Sequence, residues 1–223
     1  MRFIITTILV AFLSTIAQTQ HEFKMSIGPS SSIDTQARDI FNQLVSDTSY
    51  YVNSDFSNRT GLNIQTSYSY YLRYNLKVSF NLSFQQMGYK TMEQIESFDF
   101  LYGTEQIYVE GIRTLDLFGI GSSLTYITDY DISFTIGSYA LSSINNNLEL
   151  SGSAYYPNYL PAGYYIDETN EYEMGSTLAT FFGIGYEFGD LTFDIIYMPA
   201  LDVYPGMSST SFLLGYSHLI IKK

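Results

Sequence analysis

The sequence predicts an all-β fold: an eight-stranded antiparallel up-and-down transmembrane β-barrel with long extracellular loops and short periplasmic turns. Three observations predict it. Eight segments alternate apolar and polar residues with a period of two. Their apolar rows are large and aromatic, within a chain of 22 Tyr, 16 Phe and no Trp. The connections between the segments alternate between long and tight. The first is plainest in residues 76–90, LKVSFNLSFQQMGYK. Leu76, Val78, Phe80, Leu82 and Phe84 share one face, and Lys77, Ser79, Asn81, Ser83 and Gln85 share the other. Such a period belongs to a strand with one greasy face and one wet face.

The elements follow in order. HEFKMSIG (21–28) aligns Phe23, Met25 and Ile27. GLNIQTSYSYYLR (61–73) aligns Leu62, Ile64, Thr66, Tyr68, Tyr70 and Leu72. A tight link at Tyr74 and Asn75 leads into the third segment. The fourth, 112–127, is rougher, because Leu115 and Leu117 sit opposite Phe118, Ile120, Leu124 and Tyr126. The turn TDYD opens the fifth, 132–143, with Ile132, Phe134 and Ile136 aligned. The sixth, near 174–188, places Leu178, Phe182, Ile184, Tyr186 and Phe188 together. Gly189 and Asp190 turn the chain into the seventh, 191–203, and Pro205 and Gly206 bend it into the eighth, 209–221. Polar stretches at 29–60, 91–111, 144–172 and 203–208 read as loops at one end, against tight turns at 74–75, 128–131 and 188–190 at the other. An even strand count with this rhythm is the pattern of bacterial outer-membrane barrels.

In that orientation Phe80, Leu82, Phe182 and Phe212 meet hydrocarbon. The inner rows carry Gly61, Ser67, Ser79, Ser83, Gly137, Gly183, Gly185 and Gly215, residues small enough for a narrow barrel. Arg73, Lys77, Asn81, Glu187 and Asp194 form the candidate interior polar network, since buried charges must be paired. A soluble β-sandwich or a secreted lipocalin-like ligand carrier is the rival, with the apolar row turned inward around a cavity.

Composition sets the class of partner. Lys and Arg total 10 and Asp and Glu total 22, a formal net charge of -12, which disfavours nucleic acid. The absence of cysteine excludes disulfides and thiolate metal sites. Residues 1–19 read as a signal peptide: Met1 and Arg2, an apolar core, then small residues around Thr15 and Ala17. The barrel domain is then 20–223.

Chemistry has few candidates. His21 and His218 both map to the periplasmic end, so a Ser-His-Asp arrangement at the outer mouth is not assembled. No catalytic, cofactor-binding or metal residue is assigned, and no cofactor is expected. The acids of the loops, among them Asp55, Glu93, Glu96, Glu110, Glu149, Asp167, Glu168 and Glu171, lack the ligand spacing of a calcium loop and read as a solvated surface. In the first loop Asp34 is placed to cap a short helix carrying Ala37, Ile40, Phe41 and Leu44 on one stripe. In the third, Tyr155, Tyr156, Tyr159, Tyr164 and Tyr165 form a candidate recognition surface for protein or glycan, with local loop packing as the plainer alternative.

The exported leader, LKVSFNLSFQQMGYK, LDLFGIGSSLTY (115–126) and the terminal FLLGYSHLII (212–221) resemble the small outer-membrane β-barrel families of Bacteroidota, with an architecture of the OmpA or OmpX type. Gly88, Tyr89 and Lys90 close the third strand as in that family. The resemblance implies a non-enzymatic protein of the Gram-negative outer membrane. Its role would be structural or binding, at the cell surface or within an envelope complex. Expected partners are outer-membrane lipid and, through the loops, an envelope or extracellular protein or a glycan. A narrow pore and a lipid-modifying enzyme are the alternatives.

Overall fold

The computed structural model describes residues 20–47, 51–99, 103–156, 160–172, 175–199, 201 and 206–221. The leader expected at 1–19 lies outside the described residues. Among the described residues nine strands and one helix follow in chain order: β1 His21–Asp34, α1 Thr35–Asp47, β2 Tyr51–Arg73, β3 Leu76–Asp99, β4 Gly103–Ile127, β5 Ile132–Tyr156, β6 Leu160–Glu171, β7 Thr177–Phe188, β8 Leu191–Met198 and β9 Met207–Ile221.

Every pairing is antiparallel. Neighbours in sequence pair from β1 to β6 and from β7 to β9. β5 also pairs with β7, and β1 pairs with β9, as in Met25 with Tyr216. The pairings thus link β1, β2, β3, β4, β5, β7, β8 and β9 in a cycle, with β6 added against the outer half of β5. The tight turns fall where alternation placed them, at 74–75, 128–131 and 189–190. They share one end with His21 and Ile221, which pair with each other.

The long polar stretches correct the expected loops. Strand takes up 29–34 and 51–60 of the first stretch, with a helix at 35–47, and most of 91–111 and 144–172, with a ninth strand, β6, within the last. β2 to β5 run 23 to 25 residues each, about 80 Å at ~3.3 Å per residue. β7 and β8 have 12 and 8 residues. One side of the molecule therefore stands far above the other. The reason is physical: in these extensions the inward row mixes Leu148, Leu150, Val109 and Ile166 with glycine, alanine and threonine and the outward row mixes acids with tyrosine and isoleucine, so the alternation has low contrast in sequence.

Burial is inverted relative to a soluble sheet. Phe80, Phe182 and Phe212 are 52%, 48% and 54% exposed, while Lys77 and Asn81 are 4% and 6%. The same holds on every strand of the cycle, with Phe23, Tyr68, Ile120, Phe134 and Phe193 also exposed. The interior is stacked in layers. Charges lie nearest the tight turns, hydroxyls and amides above them, and an apolar layer above those. That layer contains Met87, Leu115, Leu117, Tyr139, Leu141, Phe181, Leu201 and Met207. The rough pattern of the fourth segment is explained here, because Leu115 and Leu117 face inward into this layer. Gly137 makes room for it, since a Cβ there would run into the ring of Phe181.

The capped helix forms as expected. Asp34 Oδ1 accepts from the Ala37 amide at 2.9 Å, and Phe41 is buried with its ring 5.9 Å from that of Phe56, which stacks on Tyr89 at 5.0 Å. Ile40 of the same stripe is exposed instead, and the side chain of Leu44 lies outside the described residues. Asp34→Ala removes the cap at a cost of about 1 kcal/mol. Amide exchange in 35–43 is expected to speed up about fivefold while exchange in β7 to β9 stays unchanged.

Candidate functional site

Two regions carry polar chemistry: the interior near the tight turns and the outer part of the tall sheet. In the interior, strand alternation alone aims Glu22 and Lys24 inward from β1, Tyr71 from β2, Lys77 from β3, Glu187 from β7 and Asp194 from β8. Lys77 Nζ lies 3.1 Å from Glu22 Oε2 and 2.9 Å from Glu187 Oε1. Tyr71 donates its hydroxyl to Glu22 Oε2 at 2.5 Å, and the Lys77 ammonium sits 5.6 Å from the Tyr71 ring centroid. Lys24 pairs with Asp194 at 2.7 Å. A Cβ on Gly185 would collide with Asp194 Oδ1 and Ser133 Oγ, so the glycine keeps that pair's space open.

Above the charges the hydrogen bonds are neutral. Ser69 bonds Ser79 at 2.8 Å, and Asn81 donates to Ser123 at 2.9 Å. Asn63 donates to Ser211 at 2.8 Å, and Gln85 donates to both Ser30 and Ser209, at 2.9 and 2.6 Å. The cavity left among these groups has a volume of about 50 Å³. That is room for a few waters and none for an organic ligand. The large internal apolar cavity that a ligand carrier needs is not found in this layer.

Of the five residues assigned to the interior network, Lys77 and Glu187 meet directly. Asp194 pairs with Lys24 and Asn81 with Ser123. Arg73 does not join them: it is the last residue of β2, beyond a register shift after Tyr71, and is exposed beside the turn. Glu22, Lys24 and Tyr71 were missed. The signal for the first two was present in HEFKMSIG, where both fall opposite the row of Phe23, Met25 and Ile27.

The tall sheet has two faces. Its concave face, continuous with the interior, carries Phe56, Tyr89, Val109, Leu148, Leu150 and Ile166. Arg113 is buried there, bonded to Asn146 and set 4.4 Å from the Tyr172 ring centroid. Glu93 shares this face, and partial burial pushes its carboxyl above the ordinary range. The opposite face carries Glu96, Glu110, Glu149 and Asp167, with Lys90 ion-paired to Glu110. Tyr155 and Tyr165 are exposed on it. Tyr159 and the side chains of Tyr156 and Tyr164 lie outside the described residues.

His21 accepts or donates at Nδ1 to the Tyr68 hydroxyl at 2.8 Å and packs against the rings of Tyr68 and Tyr70. His218 is exposed near the same end. Among the described residues no three His, Cys, Asp or Glu side chains gather as a metal set. No helix among them is long and apolar enough to cross a membrane.

What fold and site define is an all-β antiparallel protein turned inside out, with aromatics outside and paired charges within. Solved structures resemble it remotely. Ail, the attachment invasion locus protein of Yersinia pestis, is similar at 14% identity and TM-score 0.41, covering 89% of this chain and 99% of that one. A second structure of Ail, in complex with the heparin analogue sucrose octasulfate, gives 13% and 0.40 over the same shares. Neisserial surface protein A is similar at 8% identity and TM-score 0.33, covering 88% and 95%. No protein-family model matches the chain, and no curated protein matches it.

Proposed function

We propose that the chain is an outer-membrane protein, closed as an eight-stranded barrel of the kind that LKVSFNLSFQQMGYK and FLLGYSHLII resemble. Its role is non-enzymatic binding at the cell surface. The observation that supports this reading best is the inverted burial. An apolar row that alternates with a buried polar row around eight paired strands matches a solvent of hydrocarbon outside and a filled lumen inside. In water the same exposed row would be an aggregation surface far larger than soluble monomers tolerate. The lumen is a packed core of ion pairs, amide bonds and an apolar layer, so it serves as scaffold rather than channel. Binding falls to the tall sheet, which stands beyond the apolar band, about 25 Å high in such barrels.

Cell fractionation with surface proteolysis tests the assignment. The protein is expected in the outer-membrane fraction, with cleavage within 29–60 or 144–172 in intact cells. Recovery as a freely soluble periplasmic protein would overturn it. In planar bilayers the purified protein is expected to give no discrete conductance steps, and steps would favour a pore.

A further inference from the structure

We infer that the outward face of the β4–β5–β6 extension holds a slot for an arginine side chain of a partner protein. The inference rests on the surface-binding reading above and names the partner chemistry.

The register builds the slot. Tyr108 of β4 and Tyr165 of β6 both pair with Ser153 of β5, one on each side. Strands lie about 4.8 Å apart. The two tyrosines are therefore rooted about 9.6 Å apart over a serine floor, a gap that a planar group can enter, and the Tyr108 hydroxyl donates to Glu110 Oε2 at 3.5 Å on the same face. Two residues further along, Glu110 and Asp167 flank Ser151 in the same way. Aromatic walls at one level are thus followed by carboxylates at the next. Tyr165 is 79% exposed and Tyr108 39%. This face continues the exposed row of β4 beyond the apolar band, and Tyr108 lies ten residues up the strand from Phe118, about 33 Å at ~3.3 Å per residue, so the band does not explain its rings.

Charge complementarity selects the occupant. Glu110, Asp167 and Glu149 lie on this face; Glu110 is engaged by Lys90 and by the Tyr108 hydroxyl, so Asp167, two residues from Tyr165, is the carboxylate offered to an incoming cation. An anionic glycan or a second copy of this acidic face is repelled. A guanidinium suits both levels, because it stacks on aromatic faces and bonds carboxylates through its planar fork. The molecule uses the same contact internally, where Arg113 lies over Tyr172.

The test uses the mature protein in lipid nanodiscs and a dye-labelled (Arg-Ser-Gly)4 peptide, read by fluorescence anisotropy. Each variant is first checked for outer-membrane recovery, so failure of the barrel reading shows at that stage and failure of the slot shows only in the titration. The arginine peptide is expected to bind more tightly than (Lys-Ser-Gly)4, and (Glu-Ser-Gly)4 is expected not to bind. The double variant Tyr108→Ala, Tyr165→Ala weakens binding about tenfold, and Ser153→Leu, which fills the floor, does the same. Tyr108→Phe with Tyr165→Phe stays within about twofold, since the ring faces remain. Unchanged binding by the alanine pair would reduce the effect to bulk charge and overturn the slot. Equal loss in the phenylalanine pair, or displacement of the peptide by neutral maltoheptaose, would also overturn it in favour of hydroxyl-directed sugar recognition.

Discussion

Lys77→Met is expected to destabilise the protein by about 3–5 kcal/mol, the usual effect of removing one partner from a buried ion pair. Lys77 stands between two carboxylates, Glu22 and Glu187, and the side chains of Lys77 and Glu22 are 5% and 3% exposed. Methionine fills the stem's volume but leaves two negative charges facing each other in a packed lumen, with the Tyr71 hydroxyl as the remaining donor to Glu22. The midpoint of urea unfolding in lipid vesicles should fall accordingly. The triple variant Lys77→Met, Glu22→Gln, Glu187→Gln should recover most of the loss, because replacing the whole group removes the desolvated charge. Lys24→Met should cost less, since the Lys24–Asp194 pair is more open, at 16% and 13%. A parent-like midpoint for Lys77→Met would mean that water reaches the carboxylates and that the lumen is not the packed core described above.

The strands with an exposed aromatic row were legible because each of their faces meets a single environment. Phe80 and Asn81 are adjacent in sequence and opposite in environment, and no other periodicity fits them. The tight turns were legible for a related reason: Gly189, at φ +61°, and the TDYD turn, with Asp131 at φ +60°, interrupt the alternation with residues suited to positive φ. Beyond the apolar band that logic fails. In 147–154 the row Leu148, Leu150, Gly152 and Ala154 still alternates with Asn147, Glu149, Ser151 and Ser153. Its contrast is low, so the segment resembles a loop although it is the upper half of β5. The interior network was half legible. Lys77 and Glu187 follow from their strands, whereas the partners of a charge depend on which strands adjoin. The pairings that bring Glu22 to Lys77 across β2, and Lys24 to Asp194 across β9, are not visible in any one strand. The tyrosine slot is the extreme case. Tyr165 stood out by density, but Tyr108, 57 positions earlier, joins it only through the register at Ser153.

Ile184→Arg is expected to cost about 2–4 kcal/mol, whereas Phe188→Arg, four residues along the same strand, should cost about 0–1 kcal/mol. Both positions belong to the outward row of β7, and both are exposed in the structure. Ile184 sits mid-row, paired with Phe134 on one side and Ile195 on the other, and Ile195 pairs in turn with Phe212. Phe188 closes the strand beside the Gly189 turn, where a guanidinium can reach water. The contrast separates three solvents for this row. In water, two exposed positions would respond alike, each within about 0.5 kcal/mol. In a soluble core, Phe188 would be the costlier of the two, because the larger side chain loses more burial. Only a slab of hydrocarbon makes the penalty depend on depth along the strand. Unfolding of both variants from lipid vesicles, compared with the parent, measures that gradient directly. Equal midpoints for the two would remove the reason for placing the aromatic row in a membrane.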